Sequence, residues 1–290
     1  MVKVLKFKLN SILLNLKPST KVEAKKDMEI TSSLAKSDDG SIQITFTIPF
    51  SLVQNAKGEA LVEFAKEVEI PGFRKGKAPQ AQVEAKIPQA KLIERLLGKI
   101  LPKALSSALA EYKIRPAVYP KFELIKAKDN ENWEVVAKTC EIPKFELGDY
   151  KKALSKLGKP KDKEQEIIKF LLETIHIHIP KILIDEEVNA RLSNLLERIE
   201  KLGLSLESYL ASIRKTPEIL RKEYEGQSQS AIALELILEK IAEAEKIKVK
   251  ESQIDEAIKT ASGDPKLFER RSVATILRRR AALDSLISLL

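Results

Sequence analysis

The spacing of apolar residues changes along this chain, and that change constrains the fold more than any other feature. Apolar and polar residues alternate over 42–48, which is the pattern of a half-buried β-strand. From Ser51, a plausible N-cap, apolar residues recur at helical spacing. Further strands are predicted at 122–128 and 133–140. The sequence therefore predicts an α+β domain over residues 29–146.

After residue 163 the apolar spacing is helical to the end of the chain. The predicted helices cover 163–176, 182–202, 205–214, 217–246, 251–262 and 265–289. Gly203 is predicted to close the second, while Thr216-Pro217 and Asp264-Pro265 open the fourth and the last. Residues 147–163 are predicted to form a polar linker with little to bury. We expect a mostly helical, multi-domain protein whose all-α domain covers 164–290.

The most specific segment is the basic loop, residues 71–79, with the sequence Pro-Gly-Phe-Arg-Lys-Gly-Lys-Ala-Pro. It lies between two helical patterns. Gly72 and Gly76 allow turn conformations that other residues resist, and Pro71 and Pro79 limit the flanking helices. A stiff turn is therefore predicted.

Four side chains give the basic loop its binding chemistry. Arg74, Lys75 and Lys77 are presented together and suit phosphate or carboxylate groups. Phe73 suits stacking on a base or filling a small apolar notch. The alternative is a solvated basic turn with Phe73 folded back into the core.

The loop resembles a known signature. Gly72-Phe73-Arg74-Lys75-Gly76-Lys77 followed by Pro79 is similar to the ribosome-docking motif of bacterial trigger factor. Downstream, a long helical stretch, Ile114-Arg115-Pro116, two strands and residues 141–147 follow in an order that resembles the family's whole N-terminal domain. Residues 175–188 are similar to the start of its C-terminal domain.

This resemblance implies a ribosome-associated chaperone that holds nascent polypeptides and assists their folding and export. In the family, the loop contacts the large ribosomal subunit at the exit tunnel, which implies that role for residues 72–77 here. We predict a cytoplasmic location, and the sequence leaves open whether the protein forms a homodimer off the ribosome. Candidate client-binding residues stay open, because an apolar helical stripe is more often core than client surface.

Family members commonly carry an FKBP-type prolyl isomerase domain between these two parts. The segment between Leu147 and Glu164 is too short for it and has no aromatic cluster to line a proline pocket. We therefore expect no isomerase activity, no catalytic residue and no cofactor. The competing functions are an isomerase, as in full-length members, a ribosome-independent holdase similar to SurA, and an RNA-binding module.

Composition narrows the class of protein further. The chain has 290 residues and a net charge of +9, with seven lysines and two acidic residues in a basic leader over 1–28. We expect this leader to be a flexible extension, neither a signal peptide nor a membrane anchor. Cys140 is the only cysteine, which excludes an intrachain disulfide and fits a reducing compartment.

Two smaller features have alternative interpretations. His176 and His178 share one face of an extended segment, where they could contact a metal, but further ligands are not evident and no metal site is predicted. The clusters Arg270-Arg271 and Arg278-Arg279-Arg280 are interpreted as a solvated surface near the end of the last helix, with a second RNA site as the alternative.

Overall fold

The computed structural model describes residues 29–155, 158, 161–261 and 267–290. The contacts within the chain define two compact units, with their boundary between Ile142 and Pro143. The first unit combines a four-stranded antiparallel sheet with helices, and the described part of the second is helical. The predicted fold class is therefore confirmed. The predicted leader lies outside the described residues.

The sheet of the first unit is built from two pairs of strands, and the strands of each pair follow each other in the sequence. They are β1 (Thr31–Lys36), β2 (Ser41–Ile48), β3 (Lys121–Lys126) and β4 (Trp133–Cys140), in the order β1-β2-β4-β3. A turn joins β1 to β2, where Gly40 has φ 81° and the Ser41 amide donates to Asp39 Oδ1 at 2.9 Å. A register shift between Leu124 and Lys126 interrupts the pairing of β3 with β4.

Three helices complete the first unit: α1 (Phe50–Glu67), α2 (Gln80–Lys86) and α3 (Gln89–Glu111). The predicted N-cap at Ser51 is wrong, because α1 begins one residue earlier and Pro49 precedes it. The Phe50 amide instead donates to Asn132 Oδ1 at 3.1 Å, so the turn between β3 and β4 satisfies a donor at the start of the helix.

The core of the first unit lies between one face of the sheet and the helices α1 and α3. Alternate residues of β2 are buried, including Ile44 and Phe46, and they cluster with Phe64 of α1 and Leu96 of α3. Each such side chain contributes about 1.5–3 kcal/mol through burial. This single core holds the end of α1, and therefore the start of the basic loop, in a fixed position.

The second unit consists of helices of very different lengths. They are α4 (Tyr150–Leu154), α5 (Lys163–Thr174), α6 (Lys181–Lys201), α7 (Leu206–Ser212), α8 (Pro217–Ala244), α9 (Glu251–Ala261) and α10 (Leu267–Ile287). Two predicted helix ends are confirmed: Gly203 has φ 69° after α6, and Thr216 Oγ1 accepts from the Ile219 amide at the start of α8. The predicted Asp264-Pro265 start lies outside the described residues.

The prediction that residues 147–163 bury little is wrong for α4. Tyr150 and Leu154 are buried in the second core, together with residues of α5, α8 and α10. The Tyr150 hydroxyl donates to Glu245 Oε1 at 2.8 Å, and burial, assisted by this carboxylate, raises the pKa of Tyr150 to about 12. Upstream, Lys240 Nζ lies 4.4 Å from the centre of the Phe145 ring. Phe145, Tyr150 and Leu154 therefore pack with the core of the helical unit.

Candidate functional site

The basic loop connects α1 to α2, and backbone hydrogen bonds and two glycine turns define its conformation. Gly72 and Gly76 have φ values of 83° and 80°, a left-handed region in which a side chain would be strained. The Gly76 amide donates to the Ala65 carbonyl at 2.8 Å, so the loop turns back onto the last turn of α1. Two further bonds, from Phe73 to Ile70 and from Lys77 to Arg74, close tight turns within it.

The loop exposes the side chains that the sequence singled out. All of its residues except Ala78 are exposed, and the Phe73 side chain keeps 41% of its surface accessible. Phe73 is thus not folded back into the core. Ile70 and Ala78, at the two ends of the turn, pack against the core instead. An aromatic ring and three cations are therefore presented on a turn that is anchored on both sides.

A network of ion pairs fixes α1 to α3 behind the loop. Arg95 contacts Glu63 at 3.1 Å and Glu67 at 3.2 Å, and Lys99 contacts Glu63 at 2.7 Å. The Arg95 guanidinium also lies 4.5 Å from the centre of the Phe64 ring. The hydrogen bonds from Lys99 and Arg95 lower the pKa of Glu63. Charged groups on α1 and α3 therefore add to the apolar core at the base of the loop.

Glu69 is a functional candidate that the sequence reasoning did not identify. It follows α1 and precedes the loop, and its Oε1 lies 3.5 Å from Lys75 Nζ. The sequence contained a signal, because an acidic residue stands six positions before a lysine across a predicted turn. Only the folded turn brings the two side chains together.

The second unit exposes apolar side chains near the end of α6. Leu196, Leu202 and Leu204, defined here as the α6 tip, have exposed fractions of 46%, 73% and 48%. Elsewhere α6 contacts α8, where Arg221 lies 3.2 Å from Asp185 and 3.4 Å from Asn189. The α6 tip is a candidate client surface. The sequence did not identify it, because apolar spacing alone does not tell exposed residues from buried ones.

None of the five arginines in the clusters of α10 is buried, and four of them also take part in ion pairs. Each pairs with carboxylates on other helices: Arg270 with Glu251 and Asp255 of α9, Arg278 with Glu239 of α8, Arg279 with Glu235 of α8, and Arg280 with Glu164 of α5. Arg280 also pairs with Asp284 of α10. The pairs connect α10 to carboxylates of α5, α8 and α9.

The two histidines and the single cysteine are the remaining candidates for a functional role. His176 and His178 are both exposed on the extended segment before α6. Among the described residues, no group of three or more His, Cys, Asp or Glu side chains is placed to hold a metal ion. Cys140 is buried and free, and burial raises its pKa to about 11. No helix within the described ranges is long and apolar enough to cross a membrane.

The fold and the loop together define a class of protein: an α+β unit with an exposed basic loop, followed in sequence by a helical unit. Two family models match this organisation. "Bacterial trigger factor protein (TF)" matches residues 28–174, and "Bacterial trigger factor protein (TF) C-terminus" matches residues 156–289. The chain therefore belongs to the bacterial trigger factor family, with the two terminal domains present and no isomerase domain detected between them.

Curated relatives and a solved structure agree with this assignment. The trigger factor of Corynebacterium glutamicum strain R is 32% identical over 156 residues, 54% of this chain and 30% of that protein. The trigger factor of Streptococcus agalactiae serotype Ia is 27% identical over 197 residues, 67% of this chain and 42% of that protein. The chain thus matches less than half the length of these relatives.

A solved structure of the trigger factor chaperone, from work on its promiscuous substrate recognition in folding and assembly, has a similar fold. The TM-score is 0.62, and the match covers 90% of this chain and 99% of the solved one. Sequence identity is 13%, so this likeness concerns the fold alone.

Proposed function

We propose that this chain is a cytoplasmic, ribosome-associated chaperone. Residues 29–146 dock on the large ribosomal subunit near the exit tunnel, and residues 164–290 hold newly made polypeptides. The observation that carries the proposal is the basic loop, which exposes Phe73 and three cations from an anchored turn in a trigger factor N-terminal domain.

The chemistry of the loop suits an anionic surface with a small apolar depression. The cations Arg74, Lys75 and Lys77 provide charge-assisted hydrogen bonds to phosphate or carboxylate oxygens. Phe73, already 41% exposed, loses little packing when it transfers to an apolar notch on a partner. Because the glycine turns are already formed, docking orders few additional residues and costs less conformational entropy.

Holding of clients is supported by the apolar surface of the helical unit. Burial of apolar area contributes about 25 cal/mol per Å², so a client is retained by contact area and released as it buries its own apolar residues. The α6 tip provides such area on a helix with few buried residues. No reaction is needed for this activity.

The docking proposal is tested with the triple variant Phe73→Ala, Arg74→Ala, Lys75→Ala. We expect it to lose co-sedimentation with ribosomes in moderate salt, while its circular dichroism and thermal unfolding match the wild type. A control with Tyr119→Ala, Arg115→Ala and Lys128→Ala removes the same kinds of side chain from other exposed positions of the first unit, and Tyr119 is also 41% exposed. Unchanged ribosome binding by the loop variant would refute the proposal.

The competing functions predict different results. An isomerase would convert a proline-containing tetrapeptide well above the uncatalysed rate, which is slow because isomerisation takes tens of seconds or longer. A general RNA-binding module would bind free RNA with a steep salt dependence, whereas three cations give a shallow one. A ribosome-independent holdase would protect clients from aggregation but would not co-sediment with ribosomes.

A further inference from the structure

The basic loop contains an ion pair between a docking cation and a carboxylate of the same chain. Glu69 Oε1 lies 3.5 Å from Lys75 Nζ, and the two side chains are 85% and 56% exposed. Within the described ranges, no carboxylate lies within 4.0 Å of the charged groups of Arg74 or Lys77. Lys75 is therefore the loop cation that already has an anionic partner before docking.

An anionic group of the docking partner competes with this carboxylate. If the partner approaches Lys75, Glu69 either moves away or remains as a like charge beside the incoming oxygens. Either outcome opposes docking. Because both groups are well solvated, their ion pair is worth little by itself, so Glu69 adjusts the affinity and does not prevent binding.

The backbone keeps Glu69 close to the loop. Ile70, the next residue, packs against the core, and its carbonyl accepts a hydrogen bond from the Phe73 amide at 3.1 Å. The Gly76 amide donates to the Ala65 carbonyl of α1. The main chain on both sides of Glu69 is therefore anchored, so its Cα stays beside the loop while its exposed side chain is free to change rotamer.

We propose that Glu69 lowers the affinity of the docking loop for anionic sites, because it holds Lys75 in the free protein. This inference rests on the proposed ribosome docking. Its consequence is a docking equilibrium weaker than the three cations alone would give. Removal of the Glu69 charge should strengthen docking, whereas removal of any loop cation should weaken it.

The test is the Glu69→Gln variant of the full chain, titrated against ribosomes at low ionic strength, where surface charges are least screened. We expect the Kd to fall about twofold to fivefold, the range that corresponds to exposed ion pairs. The effect should disappear in a Lys75→Met background, because the lysine through which Glu69 acts is absent. Glu111→Gln, which removes an exposed carboxylate at the end of α3, should leave the Kd unchanged.

Two outcomes would overturn the inference. An unchanged or higher Kd for Glu69→Gln would mean that the carboxylate does not oppose docking. An equal gain with and without Lys75 would mean that Glu69 acts by general charge and not through this pair. Failure of the docking proposal itself is distinguishable. In that case the wild type would not bind ribosomes, or the triple loop variant would bind them as well as the wild type.

Discussion

The helices α3 and α6 have similar lengths but very different surroundings. α3 has 23 residues and buries seven of them, whereas α6 has 21 residues and buries two, Val188 and Ile199. Both sequences show apolar residues at helical spacing. The difference is what packs against each helix: α3 lies against α1 and the core of the first unit, and α6 ends in the exposed α6 tip.

This contrast is the one expected from the two kinds of binding proposed above. The first unit presents a nine-residue loop, and a dense core with an ion-pair network holds the base of that loop. In the second unit, α6 leaves its apolar side chains partly accessible. Docking at one site needs a few side chains in fixed positions, whereas holding varied clients needs area that adapts to each of them.

The largest expected effect is on the free energy of unfolding, when a substitution creates a cavity where α3 packs in the core of the first unit. Leu96 of α3 is 1% exposed, and Leu96→Ala should destabilise the first unit by about 2–5 kcal/mol. Leu202→Ala removes the same atoms from a residue that is 73% exposed, so its effect on stability should stay within about 0.5 kcal/mol. Denaturant unfolding followed by circular dichroism measures both, and Trp133 fluorescence reports the first unit. Equal losses would contradict the contrast between the two helices.

A smaller effect is expected on client holding when the α6 tip becomes polar. The variant Leu196→Ser, Leu202→Ser, Leu204→Ser should retain its thermal unfolding and ribosome binding but suppress less aggregation of an unfolded client, as measured by light scattering. Its control is Val62→Ser, an exposed apolar position on α1 of the first unit. If the tip variant suppresses aggregation as well as the wild type, the α6 tip is not part of the client surface.

Local chemistry in the sequence predicted much of the fold. Alternation over 42–48 gave β2, and Gly203 and Thr216 mark helix ends that the structure confirms. The positions of Gly72 and Gly76 likewise predicted the turns of the basic loop. These features depend on a few neighbouring residues, so the sequence contains nearly all the information that determines them.

Features that depend on distant partners were not predictable in this way. The start of α1 depends on Asn132, a residue from a turn far along the chain, so Ser51 was the wrong N-cap. The α10 arginines pair with carboxylates on other helices, which a charge pattern alone does not reveal. Burial of Tyr150 and exposure of Leu202 both depend on which surfaces meet, and hydrophobicity does not specify that.

The smallest expected effect concerns the acid stability of the network behind the loop. Hydrogen bonds from Lys99 and Arg95 lower the pKa of Glu63 in the folded state. A group with a lowered folded-state pKa contributes stability above its unfolded pKa, and this stability is lost as the pH falls through the folded value. The wild type should therefore lose stability of the first unit more steeply than Glu63→Gln between neutral pH and pH 3, as measured by Trp133 fluorescence in denaturant.

At neutral pH the same variant should be slightly less stable than the wild type, because Lys99 and Arg95 lose a shared carboxylate. Glu94→Gln, at an exposed position of α3, serves as the control and should keep the wild-type pH profile. Parallel profiles for the wild type and Glu63→Gln would show that the network does not hold α1 against α3. The basic loop would then depend on the apolar core and on its own backbone bonds alone, as α6 depends on its few packed residues.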